Sequence, residues 1–315
     1  MRPYTLIAPA KINLYLEIIG DRPDGYHELV MVMQSVSLAD VVQLRANGTD
    51  RFRVSCDHPQ VPTDASNLAY RAAKQMAEQF PEAFRRFGGA DLSIQKHIPV
   101  GAGLAGGSTD AAAVLVGLDL MWNLGLTQVE IQELGAQLGS DVPFCVTGGT
   151  AIATGRGEQL SPLPPLDRLY VVLAKYRSLS VSTPWAYQAY RQQFSQTYVR
   201  DDHSLEGRRQ RVHSGPMVTA ISHQDGEAIG KLLHNDLEKV VLPAYPPVKQ
   251  LRQAMADLSK LGGMMSGSGP TVFALAETPA EAANIHQAIR TRFADPDLEI
   301  WTAQFCATGI KPVES

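Results

Sequence analysis

Several groups of residues in this 315-residue chain are of types that can carry chemistry. The most conspicuous is "PVGAGLAGGSTDAAAVL", Pro99 to Leu115. Pro99 and Val100 lead into Gly101, Gly103, Gly106 and Gly107, with Ala102, Leu104 and Ala105 between them. So little side chain lets a ligand approach the backbone closely, and glycine permits the positive φ that such a loop needs. The alanine-rich run behind it reads as a helix, whose first N–H groups and dipole attract an anion. Ser108 and Thr109 could cap that helix or donate hydroxyl hydrogen bonds. The dipole is worth only about 0.3–1 kcal/mol at an exposed site, so a polyphosphate here needs cations from elsewhere. The run lacks the Gly-Lys-Ser/Thr ending of a P-loop. Gly101-x-Gly103-x-x-Gly106 also fits a dinucleotide fingerprint in letters, but no βαβ unit with a following acidic residue accompanies it. A tight strand–helix turn is the third reading, and phosphate binding is preferred modestly over it.

Lys11 lies inside the apolar stretch "APAKINLYLEIIG", where a lysine is costly unless it is paired or reaches solvent. Asn13 follows two residues on, hence on the same strand face. Asp141 in "GSDVPF" is either a helix N-cap ahead of Pro143 or a carboxylate free to accept a proton. On its own residues the cap is the commoner case. Asp24-Gly25 marks a turn, which puts Tyr26 and His27 at its edge as partly buried aromatics.

Composition narrows the classes. Hydrophobic residues make up 44% and charged residues 19%, as in soluble globular proteins, and the net charge of −4 argues against a general nucleic-acid surface. No stretch reaches membrane length without charge, and the first twenty residues read as neither signal peptide nor span. Cys56, Cys145 and Cys306 are scattered and fit no metal spacing, so they are expected as buried thiols of a reducing, cytoplasmic compartment. The eight histidines show no metal-binding pattern either, and no protein-ligated metal is expected.

The positioning elements follow from periodicity. "YTLIAPAKINLYLEIIG" is extended, and "ADVVQLRANGTDRFRVSCD" reads as two strands of a hairpin through Asn47-Gly48. "NLAYRAAKQMAEQF" has helical spacing, and "ADLSIQKHIP" is a strand entering the glycine loop. Residues after the loop predict a helix with one broad buried face. Thr127-x-x-Glu130 is a capping box opening another helix, which Gly139 can end. "GGTAIATGRGEQL" reads as a hairpin, and the prolines of "SPLPPLDR" suggest a domain boundary. Beyond it come a strand "LYVVLAKY", a helix "STPWAYQAYRQQF" and a polar, arginine-rich surface loop over 195–215. Helices are expected around "EAIGKLLHNDLEKVV" and "PPVKQLRQAMADLSKLG". Strands "MMSGSGPTVFALA" and "EIWTAQFC" then flank a helix "PAEAANIHQAIRTRF". The sum is an α+β chain in two domains.

Read together, "APAKINLYLEIIGDRPDGYHEL", the glycine loop and "GGMMSGSGPTVFAL" resemble, in this order, the three motifs of the GHMP kinase superfamily of small-molecule kinases. "SNLAYRAA", "LGSDVPFC", "NDLEKVV" and above all Asp24-Gly25-Tyr26-His27 resemble the branch whose acceptor is a cytidine diphosphate sugar-alcohol. The resemblance runs to about Ala274 and thins in the arginine-rich loop and the last forty residues. It implies a two-domain GHMP kinase fold, with residues 1–162 like ribosomal protein S5 domain 2 and 163–315 ferredoxin-like. It implies ATP and Mg2+ as cofactors, a small-molecule substrate, no nucleic-acid or membrane partner, and a monomer or weak homodimer. The implied reaction is ATP-dependent phosphorylation of a hydroxyl in the non-mevalonate route to isoprenoids.

By the same resemblance, Asp141 is the base, and Lys11 pairs with it to polarise and orient the acceptor hydroxyl. Asn13 would bond the substrate, Tyr26 stack on cytosine and His27 bond its polar edge. Thr183 and Tyr187 would complete that pocket, with Trp185 an alternative second ring. Asn67, Lys96 and the 99–109 loop would hold ATP, although Lys96 also reads as an exposed strand lysine. Gly267-Ser268-Gly269 would face substrate phosphates or simply turn the chain, and Asn235 and Asp236 are taken as structural. Asp110 stands where the superfamily often has asparagine; it is unfavourable beside phosphate unless it faces away or helps hold a metal.

Overall fold

The computed structural model describes residues 3–199, 201, 204–205, 207–208, 210 and 215–313. Its frame is two long antiparallel strands, β1 (Tyr4–Asp21) and β2 (His27–Ala46), rich in the β-branched and apolar residues that favour a pleated, buried surface. Three register shifts, one between Asn13 and Tyr15, bend β1 as bulges do. β2 is long enough to serve three neighbours. Its start pairs with β5 (Thr150–Gly155) and its end with β4 (Ala90–Gln95). Its middle meets the tail of β11 (Leu298–Cys306) at Ser35 and Val36. Through β11 the sheet continues to β7 (Tyr170–Tyr176), β10 (Val272–Ala276) and β9 (Gly263–Met265). β6 (Gln159–Pro162) pairs with β5 as the expected hairpin.

Helices α1 (Leu68–Gln79), α2 (Pro81–Phe87), α3 (Gly106–Trp122), α4 (Gln128–Leu138) and α5 (Val142–Thr147) share one core with the ends of β1 and β2. The capping box of α4 forms as predicted, with Gly139 at its end. α3 is buried nearly all round instead of on one face, because it runs between the sheet and its helical neighbours. Further helices are α6 (Thr183–Phe194), α7 (Pro216–Ser222), α8 (Gly226–Lys231), α9 (Glu238–Ala244), α10 (Pro246–Leu258) and α11 (Pro279–Phe293). The two remaining hydrophobic clusters draw side chains from both sides of Leu163, so the two halves of the chain are packed together.

Five local expectations are corrected. Asn47-Gly48 does not close a hairpin between neighbours. β4 lies between β2 and β3 (Arg53–Cys56), and β3 pairs with β4 in parallel. Half-exposed β3 suits an edge, whereas β4, with Ala90, Leu92 and Ile94 buried, takes the inner place. "EAIGKLLHNDLEKVV" is not one helix but α8 and α9, divided by the two-residue strand β8 (His234–Asn235) on β1. Tertiary hydrogen bonds divide it: Ile18 N–H donates to Asp236 at 2.8 Å, and the Asn235 amide donates to the carbonyls of Met265 and Gly267, both at 2.8 Å. "MMSGSGPTVFALA" is two strands, β9 and β10, around the Ser266–Pro270 turn. Of the cysteines only Cys145 is buried; Cys56 and Cys306 are partly exposed, and none is in a disulfide. The arginine-rich loop lies in part outside the described residues, and Ser204, Leu205, Gly207, Arg208 and Gln210 carry helical backbone. Among the described residues no helix is long and apolar enough to cross a membrane.

Candidate active site

A cavity of about 860 Å³ opens between β1 and β2, the glycine loop, the β5–β6 turn and α6. At one end the glycine loop bends with Gly101 at φ 62° and Gly103 at φ 74°. It ends at Ala105 (φ 59°), which caps α3 without any side-chain bond; neither Ser108 nor Thr109 is the cap. No acidic residue stands in the first turn of α3, so its N–H groups face the cavity uncapped. Two contacts hold the loop. The Lys11 backbone N–H donates to Leu104 O at 3.1 Å, and the Ser266 hydroxyl donates to Gly103 O at 3.2 Å. A Cβ on Gly103 would lie 2.4 Å from Ser266 O, so only glycine allows this approach. The glycine loop and the last turn thus touch directly, and Asn235 ties the last turn to β1.

Lys96 is not exposed. Its ammonium is buried between the carboxylates of Asp40 and Asp110, the latter at 2.8 Å. The two carboxylates outweigh the burial that opposes its charge, and its pKa is raised. Burial pushes Asp110 up to about 7, with Asp40 adding to the push and Lys96 opposing it. Asp40 also accepts from the backbone N–H groups of His97 (2.6 Å) and Ile98 (2.9 Å), anchoring the entry to the loop. Asn67 lines the cavity too, but its amide is engaged as the N-cap of α1, accepting from Ala69 N and donating to Pro62 O.

In the middle, the Lys11 ammonium lies 3.6 Å from Asp141 and donates to Asn13 Oδ1 at 2.8 Å. Lys11 is 6% exposed and Asp141 32%, so the carboxylate is the member of the pair that faces the cavity. Asp141 does occupy the N-cap position of α5, but its side chain makes no capping bond. The position is structural and the carboxylate is left available.

The far end is lined by side chains. Tyr26 is 54% exposed beneath the Arg156 guanidinium, 5.0 Å from its ring centre. His27 is 7% exposed, its ring 5.1 Å from Tyr187. Burial and the Arg191 charge outweigh Asp21 and bring the His27 pKa down to about 4, so the imidazole is neutral near pH 7. Its Nε2 has no hydrogen-bond partner among the described residues. Thr183 and Ser268 share a hydroxyl–hydroxyl bond of 2.8 Å, tying α6 to the last turn. Trp185 packs edge-on against Tyr245 and does not line the cavity, whereas Tyr187 does.

The residues given a catalytic, ATP or acceptor role from the sequence line this one cavity except Leu104 and Thr109, whose side chains are buried, and Trp185 and Gly269. Sequence reasoning missed Gln60, Val61 and Ser66 beside the glycine loop, and Ser140, Arg156, Gln188 and Arg191 at the other end. Arg191 follows Tyr187, and Gln188 follows Pro184, at i+4 on α6, so both were within reach of periodicity. Arg156 sits in a hairpin turn with no such signal.

The geometry agrees with comparison to known proteins. Residues 67–149 match the family described as GHMP kinases N terminal domain, and residues 217–295 match GHMP kinases C terminal. The chain is 63% identical over 310 residues to the 4-diphosphocytidyl-2-C-methyl-D-erythritol kinase of Trichodesmium erythraeum (strain IMS101), covering 98% of this chain and 99% of that one. It is 63% identical over 316 residues to the enzyme of the same name from Nostoc punctiforme (strain ATCC 29133 / PCC 73102), covering 100% of both. Among solved structures, a 4-(cytidine 5'-diphospho)-2C-methyl-D-erythritol kinase superposes with a TM-score of 0.71 at 31% identity, over 96% of this chain and 98% of that one. A homoserine kinase from Cytophaga hutchinsonii superposes at 0.77 with 19% identity, over 99% and 98%, a likeness of fold alone. The chain belongs to the GHMP kinase family, in the branch of the 4-diphosphocytidyl-2-C-methyl-D-erythritol kinases.

Proposed function

We propose that this chain transfers a phosphoryl group from ATP to the 2-hydroxyl of 4-diphosphocytidyl-2-C-methyl-D-erythritol, in isoprenoid precursor biosynthesis. The observation that carries the reading is the Lys11–Asp141 pair at 3.6 Å, standing between an uncapped glycine-loop helix and an aromatic pocket. Phosphoryl transfer to an alcohol needs positioned reactants, neutralised phosphates and an acceptor for the hydroxyl proton. Asp141 takes that proton from the 2-hydroxyl. Lys11, held by Asn13, orients and polarises the same hydroxyl. The N–H groups of the 101–109 loop and of α3 receive the ATP phosphates, with Asn67 and Lys96 shaping the wall beside the nucleotide. Tyr26 and Tyr187 stack on cytosine while His27 hydrogen-bonds its polar edge; Thr183 completes that end. The division into 1–162 and 163–315 belongs to this reading: the first part supplies the phosphate loop and the Lys11–Asp141 pair, the second supplies Tyr187 and Ser268.

The wall fits a Mg2+-nucleotide. Among the described residues no group of three or more His, Cys, Asp or Glu side chains could hold a metal alone. Phosphate oxygens and water would hold Mg2+, with the Asp141 carboxylate kept for the hydroxyl proton. When bound, Mg2+ supplies neutralisation of phosphate charge. The protein acts as a cytoplasmic monomer or weak dimer in this reading.

An ATP-coupled assay with the cytidyl acceptor, homoserine and mevalonate tests it. ADP release is expected with the cytidyl acceptor alone. Asp141→Asn should lower turnover by about 10²–10⁴-fold, the usual worth of a positioned base, with ATP affinity kept. Lys11→Ala should also lose turnover far more than ATP affinity. No ADP release with the cytidyl acceptor from protein that binds ATP would refute the reading.

A further inference from the structure

Four cations of the described residues line the cavity, and they differ in how far they are neutralised. Lys96 is clasped by two carboxylates, Arg191 is 2.7 Å from Asp21, and Lys11 is 3.6 Å from Asp141. Arg156 has the loosest pairing: its Nε is 3.9 Å from Glu158, and 28% of its side chain is exposed. A guanidinium so placed retains most of its charge for a ligand.

Its position is held by backbone. Arg156 opens the β5–β6 turn, where its own N–H donates to Glu158 at 2.7 Å. The preceding Gly155 N–H donates to the buried Glu28 at 3.2 Å, and Glu28 pairs with Arg22 at 2.8 Å. The turn is therefore fastened to the segment that carries Tyr26 and His27. The next residue, Gly157, packs so closely on β2 that a Cβ there would meet the Met31 methyl at 2.6 Å and Ser140 Cβ at 3.8 Å. Arg156 thus lies over Tyr26, and its neighbour Gly157 approaches Ser140 beside Asp141. A cytidine diphosphate compound with its base on Tyr26 and its hydroxyl at Asp141 must run its two phosphate charges between those points.

We infer that Arg156 is a specificity-determining residue for the acceptor: its guanidinium covers the outer face of Tyr26 and supplies the cation for the diphosphate of a cytidine diphosphate compound. The inference rests on the proposed function, which assigns the base to Tyr26. It separates two contributions, because a stacking role serves cytidine and its diphosphate alike, whereas a charge serves only the diphosphate.

Binding of CDP, cytidine and ATP to the full chain, measured by calorimetry for wild type, Arg156→Ala and Arg156→Lys, tests it. Arg156→Ala should weaken CDP about tenfold, as expected for loss of one charge-assisted contact, with cytidine changed far less and ATP unchanged. Arg156→Lys should recover part of the CDP affinity, and added salt should narrow the wild-type gap between CDP and cytidine. Equal weakening of CDP and cytidine would overturn the diphosphate role and leave Arg156 as a support for the Tyr26 ring. Unchanged CDP binding would overturn the inference altogether. Failure of the wild type to bind either cytidine compound would instead overturn the acceptor reading.

Discussion

The two ends of the cavity are built from different materials. The glycine-loop end offers backbone: N–H groups of α3 and of a loop whose cationic neighbour, Lys96, is already neutralised by Asp40 and Asp110. The opposite end offers side chains: Tyr26, His27, Tyr187, Thr183 and two arginines. Backbone donors recognise phosphate and cannot tell one nucleotide's substrate from another's. Side chains can, because a base needs a ring to stack on and a defined donor and acceptor. On the proposed reading, the loop end receives ATP and the opposite wall selects the acceptor.

The largest way to break this contrast acts on the backbone end. Gly103→Val would press a side chain into Ser266 O and part the loop from the last turn. We expect turnover to fall on the order of 100-fold, as for an ångström-scale misplacement of reactants, with ATP affinity falling too. Steady-state kinetics and nucleotide titration check this; intact ATP binding would show that the contact does not position the loop.

A smaller, one-sided effect is expected at the other wall. Tyr187→Ala removes a stacking ring worth about 1–3 kcal/mol, which raises the acceptor KM about 5- to 150-fold. The ATP KM should stay within about twofold, and a parallel rise in both would erase the distinction between the ends.

The smallest effects concern pH and stability, and the two ends should respond with opposite sign. Asp110 binds its proton more tightly folded, at about 7 against an ordinary 3.8. Its contribution to stability is full below 3.8 and is lost as pH rises through 7. His27 is lowered from 6.5 to about 4, so its contribution is present above 6.5 and is lost as pH falls through 4. Thermal unfolding across pH 4–8 should show a shallower decline on the alkaline side for Asp110→Asn and on the acid side for His27→Gln. Unchanged slopes would mean that neither group titrates with folding.

Much of the local structure could be read directly. The Thr127–Glu130 capping box, the period-2 burial of β4 and the Pro184 start of α6 each depend on residues within a few positions, and local chemistry decides them. The glycine loop was visible for the same reason. Other features had no local signal. Asn47-Gly48 has the letters of a hairpin, yet the apolar face of β4 outcompetes β3 for the place beside β2. "EAIGKLLHNDLEKVV" has the letters of a helix, yet Asn235 and Asp236 gain more from bonds to distant backbone. The resemblance led to the Lys11–Asp141 pairing, but nothing in the apolar setting of Lys11 names a partner 130 residues away.

By itself, then, the sequence determined which chemical groups were available and the short-range geometry of the elements that carry them. The tertiary structure decided which of those groups meet. It buried Lys96 between two acids, turned the Asp141 carboxylate away from its own helix cap and brought Arg156 over Tyr26. The physical reason is range: caps and periodicity act within about one helical turn or strand pair, whereas burial and charge pairing act between whatever surfaces packing brings together.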